Sequence, residues 1–355
     1  MDDSRKYIHY ERQDWKLLVI QLLLTGLVLC IFALFHHVLP EWQVRKNGIG
    51  APSGVVVRST PAPEQTPQPQ AEQEAQSAAE PTPVPTEDPR SPWQIRFAEH
   101  FSEQPLWGDE SYSSPNVSVT VKEYAHTEQY PQMSYYVADV YVGDISCLRS
   151  GMPLGAGFDS ALNIAADHGA IAAVNGDSAL SYRDGILVRN GLVYGSYPIF
   201  GDVCVLRYDG VMETFLAGEY TAEEIFAEEP YQCWQFGPAL LEEDGRPRAW
   251  FNIAEELLGA HPRTAIGYFE PGHYCFVVVD GRRPGHSSGA DMHALAQIMS
   301  DLGCLSAYNL DGGACSMMVF QGEWANQPCP AGAGNAYRYL SDMILVAEPE
   351  EGEES

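Results

Sequence analysis

Basic residues are scarce in this chain: 20 Lys plus Arg stand against 48 Asp plus Glu, for a formal charge of −28. A protein so poor in positive charge has no footprint for binding nucleic acid through counterion release. The same balance argues against a protein that lies on anionic lipid headgroups. Charge of either sign is missing from Leu17 to Leu39, and aromatic residues are missing from 51 to 92. Neither a Walker loop nor a Gly-x-Ser-x-Gly elbow is expected in this chain, which takes the main support from nucleotide-hydrolase and serine-hydrolase readings. His261, His273 and His293 show no metal-ligand spacing.

The uncharged run LLVIQLLLTGLVLCIFALFHHVL is long enough to cross a hydrocarbon core as one helix. A cleaved signal peptide is the alternative, but the run exceeds a usual h-region and no A-x-A site follows. Arg5, Lys6, Arg12 and Lys16 precede it, and Arg45 and Lys46 follow closely. The positive-inside rule then places residues 1–16 in the cytoplasm, 17–39 in the membrane and the rest outside the cytoplasm. The expected location is therefore the cell membrane, as a single-pass protein.

Residues 40–92 include TPAPEQTPQPQ and EPTPVPTEDPRSP, which bury too little apolar surface to offset ordering entropy. They read as a tether, and the part from Ser59 could extend on the order of 100 Å as polyproline II. Trp93 is the first aromatic after the gap. Residues 93–347 read as one folded domain without an internal repeat, and 348–355 form an acidic tail. Seven cysteines lie outside the span, an odd number that forbids complete internal pairing; Cys315 with Cys329 is the first pair to test.

The expected fold class is α+β: a central β-sheet flanked by helices. GFDSALNIAADHG reads as a short helix with Phe158, Leu162 and Ala165 on one face. AIAAV, YCFVVVD, AYNL, SMMVF and SDMILVA read as strands. DMHALAQIMSDLG is the clearest helix, with Met292, Leu295, Ala296, Met299 and Leu302 in one stripe.

Four apolar strands meet polar, mostly Gly-containing turns. These are Asn175-Gly176-Asp177, Arg263-Thr264, Asp280-Gly281-Arg282 and Asn309-Leu310-Asp311-Gly312-Gly313. A strand fixes position while a turn exposes the side chain, so strand ends present functional groups. Each pair alone is first of all a turn. The four together, two of them carrying Arg, point to a site for a sugar or a phosphate.

These segments resemble the phosphodiester glycosidase family. The resemblance rests on AAVNGDSALSYRDGILVRNGLVY, FGPALLEEDGRP, HPRTAIGY, VVVDGRRPGHSSGADMHALAQIMSDLGCLSAYNLDGGACSMM and YRYLSDMILV, in that order. It covers roughly residues 155–347 and implies hydrolysis of a sugar joined through its anomeric carbon to a phosphodiester. The positions it carries over are Asn175, Gly176, Asp177, Arg263, Thr264, Asp280, Gly281, Arg282, Ser287 and Gly289. It adds Asn309, Asp311, Gly312, Gly313, Ser316 and Arg338. The chain departs from the family pattern at Ser178, where an aromatic is expected, at His286, where Tyr is common, and at Ala314 and Cys315.

Such chemistry develops oxocarbenium character on the sugar and releases an anionic phosphate. A guanidinium suits that anion, with Arg263 ahead of Arg282 and Arg338. A carboxylate must steady the cation or activate water, with Asp311 first and Asp280 second, while Asp177 takes either role or holds a sugar hydroxyl. No cofactor is expected, although a divalent cation on these carboxylates stays open. The expected partners are a glycan or sugar-phosphodiester substrate and, through residues 17–39, the membrane. A non-catalytic glycan-binding or polysaccharide-assembly module with the same cleft is the alternative.

Overall fold

The computed structural model describes residues 88–155, 157–178, 185–197, 199, 201–332 and 337–349. The expected span Leu17–Leu39, the tether up to residue 87 and the acidic tail from 350 lie outside these residues. Among the described residues, no helix is long and apolar enough to cross a membrane.

The chain opens with helix α1 (Pro92–Arg96), where Ser91 and Gln94 exchange capping-box hydrogen bonds. Strands β1 (Leu106–Trp107), β2 (Ser111–Ser113), β3 (Val117–Ala125), β4 (Ser134–Val142) and β5 (Leu148–Gly151) follow, then α2 (Ala161–Asp167). Next come β6 (Ala172–Asn175), β7 (Gly185–Arg189), β8 (Leu192–Tyr197), β9 (Val203–Arg207) and β10 (Met212–Phe215). Helix α3 (Ala222–Ala227), β11 (Pro230–Trp234), β12 (Arg263–Glu270), β13 (His273–Val279) and α4 (Met292–Asp301) continue the chain. It closes with β14 (Ser306–Asn309), β15 (Met318–Phe320), β16 (Glu323–Trp324) and β17 (Met343–Val346).

The expectation of one central sheet gives way to three antiparallel sheets among the described residues. The first orders its strands β1-β2-β3-β4-β13-β12-β14, the second β10-β9-β11-β7-β8, and the third β16-β15-β6-β17-β5. One apolar core joins all three. It contains Val140, Phe276 and Ile266 from the first, Leu206 and Trp234 from the second, and Val174 and Ile344 from the third. Each sheet's other face packs against one short helix: Leu295 and Met299 of α4 cluster with Val277 and Ala265. Ile164 of α2 clusters with Ala173 and Leu345, and Ile225 of α3 with Val188 and Val205. Burial on both faces explains why β13 is almost continuously apolar rather than alternating.

Asp291 caps α4 by accepting from Ala294 N at 2.7 Å, and Gly303, at φ +89°, follows its last turn. In α2 the cap is Ser160, and the buried residues are Ala161, Ile164 and Ala165. Phe158, expected on the buried face, precedes the cap and is exposed. All seven described cysteines are buried free thiols, so Cys315 and Cys329 are not bonded. Cys275 and Cys304 approach one another instead, Sγ to Sγ at 3.6 Å.

Candidate functional site

Strand register gathers the polar turns at one end of two sheets. In the first sheet the start of β12 pairs with the end of β13 (Arg263 with Val279), and Ala265 pairs with Asn309 at the end of β14. In the third sheet the end of β6 pairs with the start of β17 (Asn175 with Met343). The turns at 176–178, 280–289 and 310–316 and the segment before β17 therefore leave neighbouring strand ends. The site belongs to two sheets, not to the rim of one.

Asn175 ties them together. Its buried amide donates to Asp311 O at 2.7 Å and accepts from Thr264 Oγ1 at 2.7 Å and Met317 N at 3.2 Å. Gly176 N donates to Asp342 O at 3.1 Å, and a Cβ at Gly176 would lie 2.5 Å from Asp342 Oδ2. Only glycine permits that approach.

Asp311 is half-buried. Its Oδ1 accepts from Gly312 N at 2.8 Å and its Oδ2 from Ser178 Oγ at 2.5 Å. Ser178 holds φ +58°, which turns its hydroxyl back from the end of β6. Gly313, at φ +66°, takes the chain past the exposed Arg282: a Cβ there would lie 3.1 Å from Arg282 Nη1. Arg282 Nη2 also meets His261 Nδ1 at 3.2 Å. Gly312 and Gly281 pack on Pro262, and Gly313 N donates to Pro262 O at 2.9 Å. Arg338 is exposed, and its charge acts on the Cys315 thiol, whose ionisation is nevertheless suppressed by burial first and by Asp311.

The remaining arginine and carboxylates of the expected set are committed elsewhere. Arg263 is buried, donating from Nε to Ala290 O at 3.1 Å and from Nη2 to Leu257 O at 2.5 Å and Gly259 O at 2.7 Å. Burial, with the like charge of Arg282, pushes it down to about 10, so it stays cationic at neutral pH. Asp177 has no exposed side chain: Oδ1 accepts from Arg189 Nη2 at 2.6 Å and Oδ2 from Gln235 N at 3.0 Å. The fully buried Arg189 also holds Asp342, Nε to Oδ2 at 3.1 Å. Two buried carboxylates share one guanidinium, and burial raises Asp342 to about 6 against the pull of Arg189.

Asp280 is equally enclosed. It accepts from His286 Nε2 at 2.7 Å, Asn326 Nδ2 at 2.7 Å and Gln327 N at 3.1 Å. Burial raises its pKa while the His286 and Asn326 hydrogen bonds oppose the rise. Asn326 also donates to Ser316 O at 3.2 Å, which links the Asp280 turn to the Asp311 turn. Gly289, at φ +100°, passes so close to His261 that a Cβ would lie 2.5 Å from its carbonyl carbon. Asn309 Nδ2 donates to Gly237 O at 2.7 Å, while Asn309 Oδ1 and Ser316 Oγ are buried without a partner among the described residues. Among the described residues, no group of three or more His, Cys, Asp or Glu is placed to hold a metal ion.

The expectation of no Gly-x-Ser-x-Gly spacing needs correcting, and a second feature gave almost no signal. Gly285-His286-Ser287-Ser288-Gly289 matches the Gly-x-Ser-x-Gly spacing of a serine-hydrolase elbow. Ser287 is buried, however; its Oγ donates to Asp280 O at 2.6 Å and accepts from Ser134 N at 3.1 Å. It lies between β13 and α4 in a turn stapled by Arg283 and Ser287, not at a strand-to-helix elbow, and His286 bonds Asp280 instead. The second feature is the Arg189–Asp342 pair, 153 residues apart, for which only the Ser-Asp step into the final strand offered a signal.

A family model described as phosphodiester glycosidase matches residues 168–347, half of the chain. An uncharacterised SPbeta prophage-derived protein of Bacillus subtilis strain 168, YomE, is 26% identical over 204 residues, 56% of this chain. That match spans 31% of the relative's own length. Among solved structures, the catalytic domain of zebrafish N-acetylglucosamine-1-phosphodiester α-N-acetylglucosaminidase, auto-inhibited by its pro-peptide, shares the fold. It superposes with a TM-score of 0.53 at 19% identity, covering 69% of this chain and 88% of that one. The ordered strand-end motifs, their meeting at one end of two sheets and the extent of the family match lead to one conclusion: the chain belongs to the phosphodiester glycosidase family.

Proposed function

We propose that this chain is a hydrolase that releases a sugar from a glycosyl-1-phosphodiester, anchored in the cell membrane by Leu17–Leu39 and facing away from the cytoplasm. The observation that carries the activity is the Gly312–Gly313 turn, which sets the half-buried carboxylate of Asp311 on one side and the exposed guanidinium of Arg282 on the other. The anchor and orientation rest on the uncharged run and its flanking charges. Cell-envelope or exported glycopolymers fit that location.

Asp311 serves as nucleophile or as the base that activates water. The bond between the anomeric carbon and the phosphate oxygen breaks, water supplies the new hydroxyl, and a phosphate monoester departs with the electron pair. That leaving group is already anionic, so a guanidinium can stabilise it without full protonation. Arg282, with Arg338, takes this role in place of Arg263, whose donors are spent on backbone carbonyls. Asp280 is a positioning residue that orients His286, and Asp177 holds Arg189. Asn175 and Thr264 fix the backbone of Asp311.

Incubating the full chain with a sugar-1-phosphodiester and measuring free sugar tests this reading. Asp311→Asn, which keeps the side-chain volume, is expected to lower release about 10²- to 10⁴-fold. Undiminished release would remove Asp311 from the mechanism. Saturable glycan binding with no turnover by the wild-type protein would favour a binding module.

A further inference from the structure

The turn after β13 carries a second arginine beside the first, and the β3–β4 turn reaches toward it. Between the two lies a cavity of about 520 Å³ whose wall includes Arg282, Arg283, His126, His286 and Gln132. Among the described residues, no Asp or Glu lines it, in a chain with 48 such residues against 20 Lys and Arg. The cavity is built, not incidental. Ser288 N and Oγ both donate to Gln132 O at 2.9 Å, Ser134 N donates to Ser287 Oγ, and Arg283 Nη1 donates to Pro328 O at 2.9 Å.

Donors remain on its wall. A carbonyl only accepts, so the 3.1 Å contact of His126 Nδ1 with Pro131 O makes that nitrogen the donor and leaves Nε2, which accepts in the neutral ring and donates to an anion only in the imidazolium. His286 donates from Nε2 to Asp280, which fixes the ring and leaves Nδ1 without a partner among the described residues, a second donor only when the ring carries both protons. Arg283 commits one of the five N–H groups of its fork to Pro328. Arg282 stands between this cavity and the Gly312–Gly313 turn.

We propose that this cavity is a second oxyanion subsite, which takes a phosphate or carboxylate carried by the substrate beyond the scissile phosphate. The word substrate rests on the hydrolase reading above; the preference of the cavity for an anion does not. The natural substrate is then an anionic glycan rather than a neutral one. A strongly acidic protein would repel such a polymer except where, as at Arg282 and Arg283, cations are gathered on a wall that no described carboxylate lines.

Three otherwise identical sugar-1-phosphodiesters decide the matter, ending beyond the scissile phosphate in a phosphate, a carboxylate or a hydroxyl group. The full-length protein is expected to favour one or both charged compounds about tenfold in kcat/KM, as one charge-assisted contact would give. His126→Gln and Arg283→Gln each shrink that preference. His126 is exposed on a turn and leaves the Arg283–Pro328 bond in place, so H126Q covers the case in which R283Q fails to fold. Equilibrium dialysis of the same compounds against the Asp311→Asn protein, with and without H126Q, reads the subsite without turnover. If no compound is cleaved but the charged ones still bind better in a His126-dependent way, the subsite stands and the hydrolase reading falls. Preference for one charged compound alone identifies its oxyanion. Equal binding of charged and neutral compounds, or a preference unchanged in both variants, overturns the proposal.

Discussion

Ser178 Oγ reaches across 133 positions of sequence to donate to Asp311 Oδ2 at 2.5 Å. The hydroxyl comes from the third sheet and the carboxylate from the first, so one hydrogen bond spans the seam on which the proposed chemistry depends. Removing it should loosen the carboxylate without touching the substrate. Ser178→Ala is expected to lower kcat/KM for sugar release about 10- to 100-fold, with the loss in kcat rather than KM and the melting temperature nearly unchanged. A wild-type kcat in the variant would show that Asp311 needs no such orientation.

Arg189 sits between two buried carboxylates, Asp177 and Asp342. Arg189→Met should destabilise the fold by about 3–5 kcal/mol in urea titration, because both acids are left buried without a cation. Asp177→Asn should lower stability and activity together. If D177N abolished sugar release at full stability, Asp177 would act in the chemistry and not in the scaffold.

The pH dependence follows from Asp342, raised by burial from its ordinary 3.8 to about 6. Between those values the folded chain keeps a proton that the unfolded chain has lost. Its contribution is therefore fully present below about 3.8 and is lost as pH rises through about 6. Denaturation midpoints of wild type and Asp342→Asn, compared at intervals across that window, should diverge, with the wild-type slope falling more steeply. Parallel slopes would place the titration elsewhere.

The seven described cysteines are buried thiols. A bulky maleimide should label none of them in the native protein and all of them after unfolding without reductant. Protection that persists in denaturant would reveal a disulfide, with Cys275 and Cys304, 3.6 Å apart, as the pair to map.

Local patterns made much of this molecule legible. The stripe from Met292 to Leu302, its Asp291 cap and the apolar run ending at Asp280 are each decided within a few residues, so period and capping sufficed. The strand-end turns were visible for the same reason. The division into three sheets was not, because β4 pairs with β13 across more than a hundred residues and no local signal encodes that partner. Arginine chemistry also looks alike in sequence. Whether Arg263 or Arg282 is open to an anion depends on backbone carbonyls, those of Leu257 and Gly259 in the turn just before β12 and that of Ala290 in the loop before α4, and residue type alone does not say where a carbonyl points.

Asn175 roots the Asp311 backbone in one sheet while Thr264 holds Asn175 from another. Any slippage between those two layers would displace the Asp311 carboxylate before the apolar interior came apart. Under the proposed activity, sugar release should then behave as an early gauge of interlayer alignment, failing under mild stress, or with distant core substitutions, while spectroscopic signatures of folding still look intact.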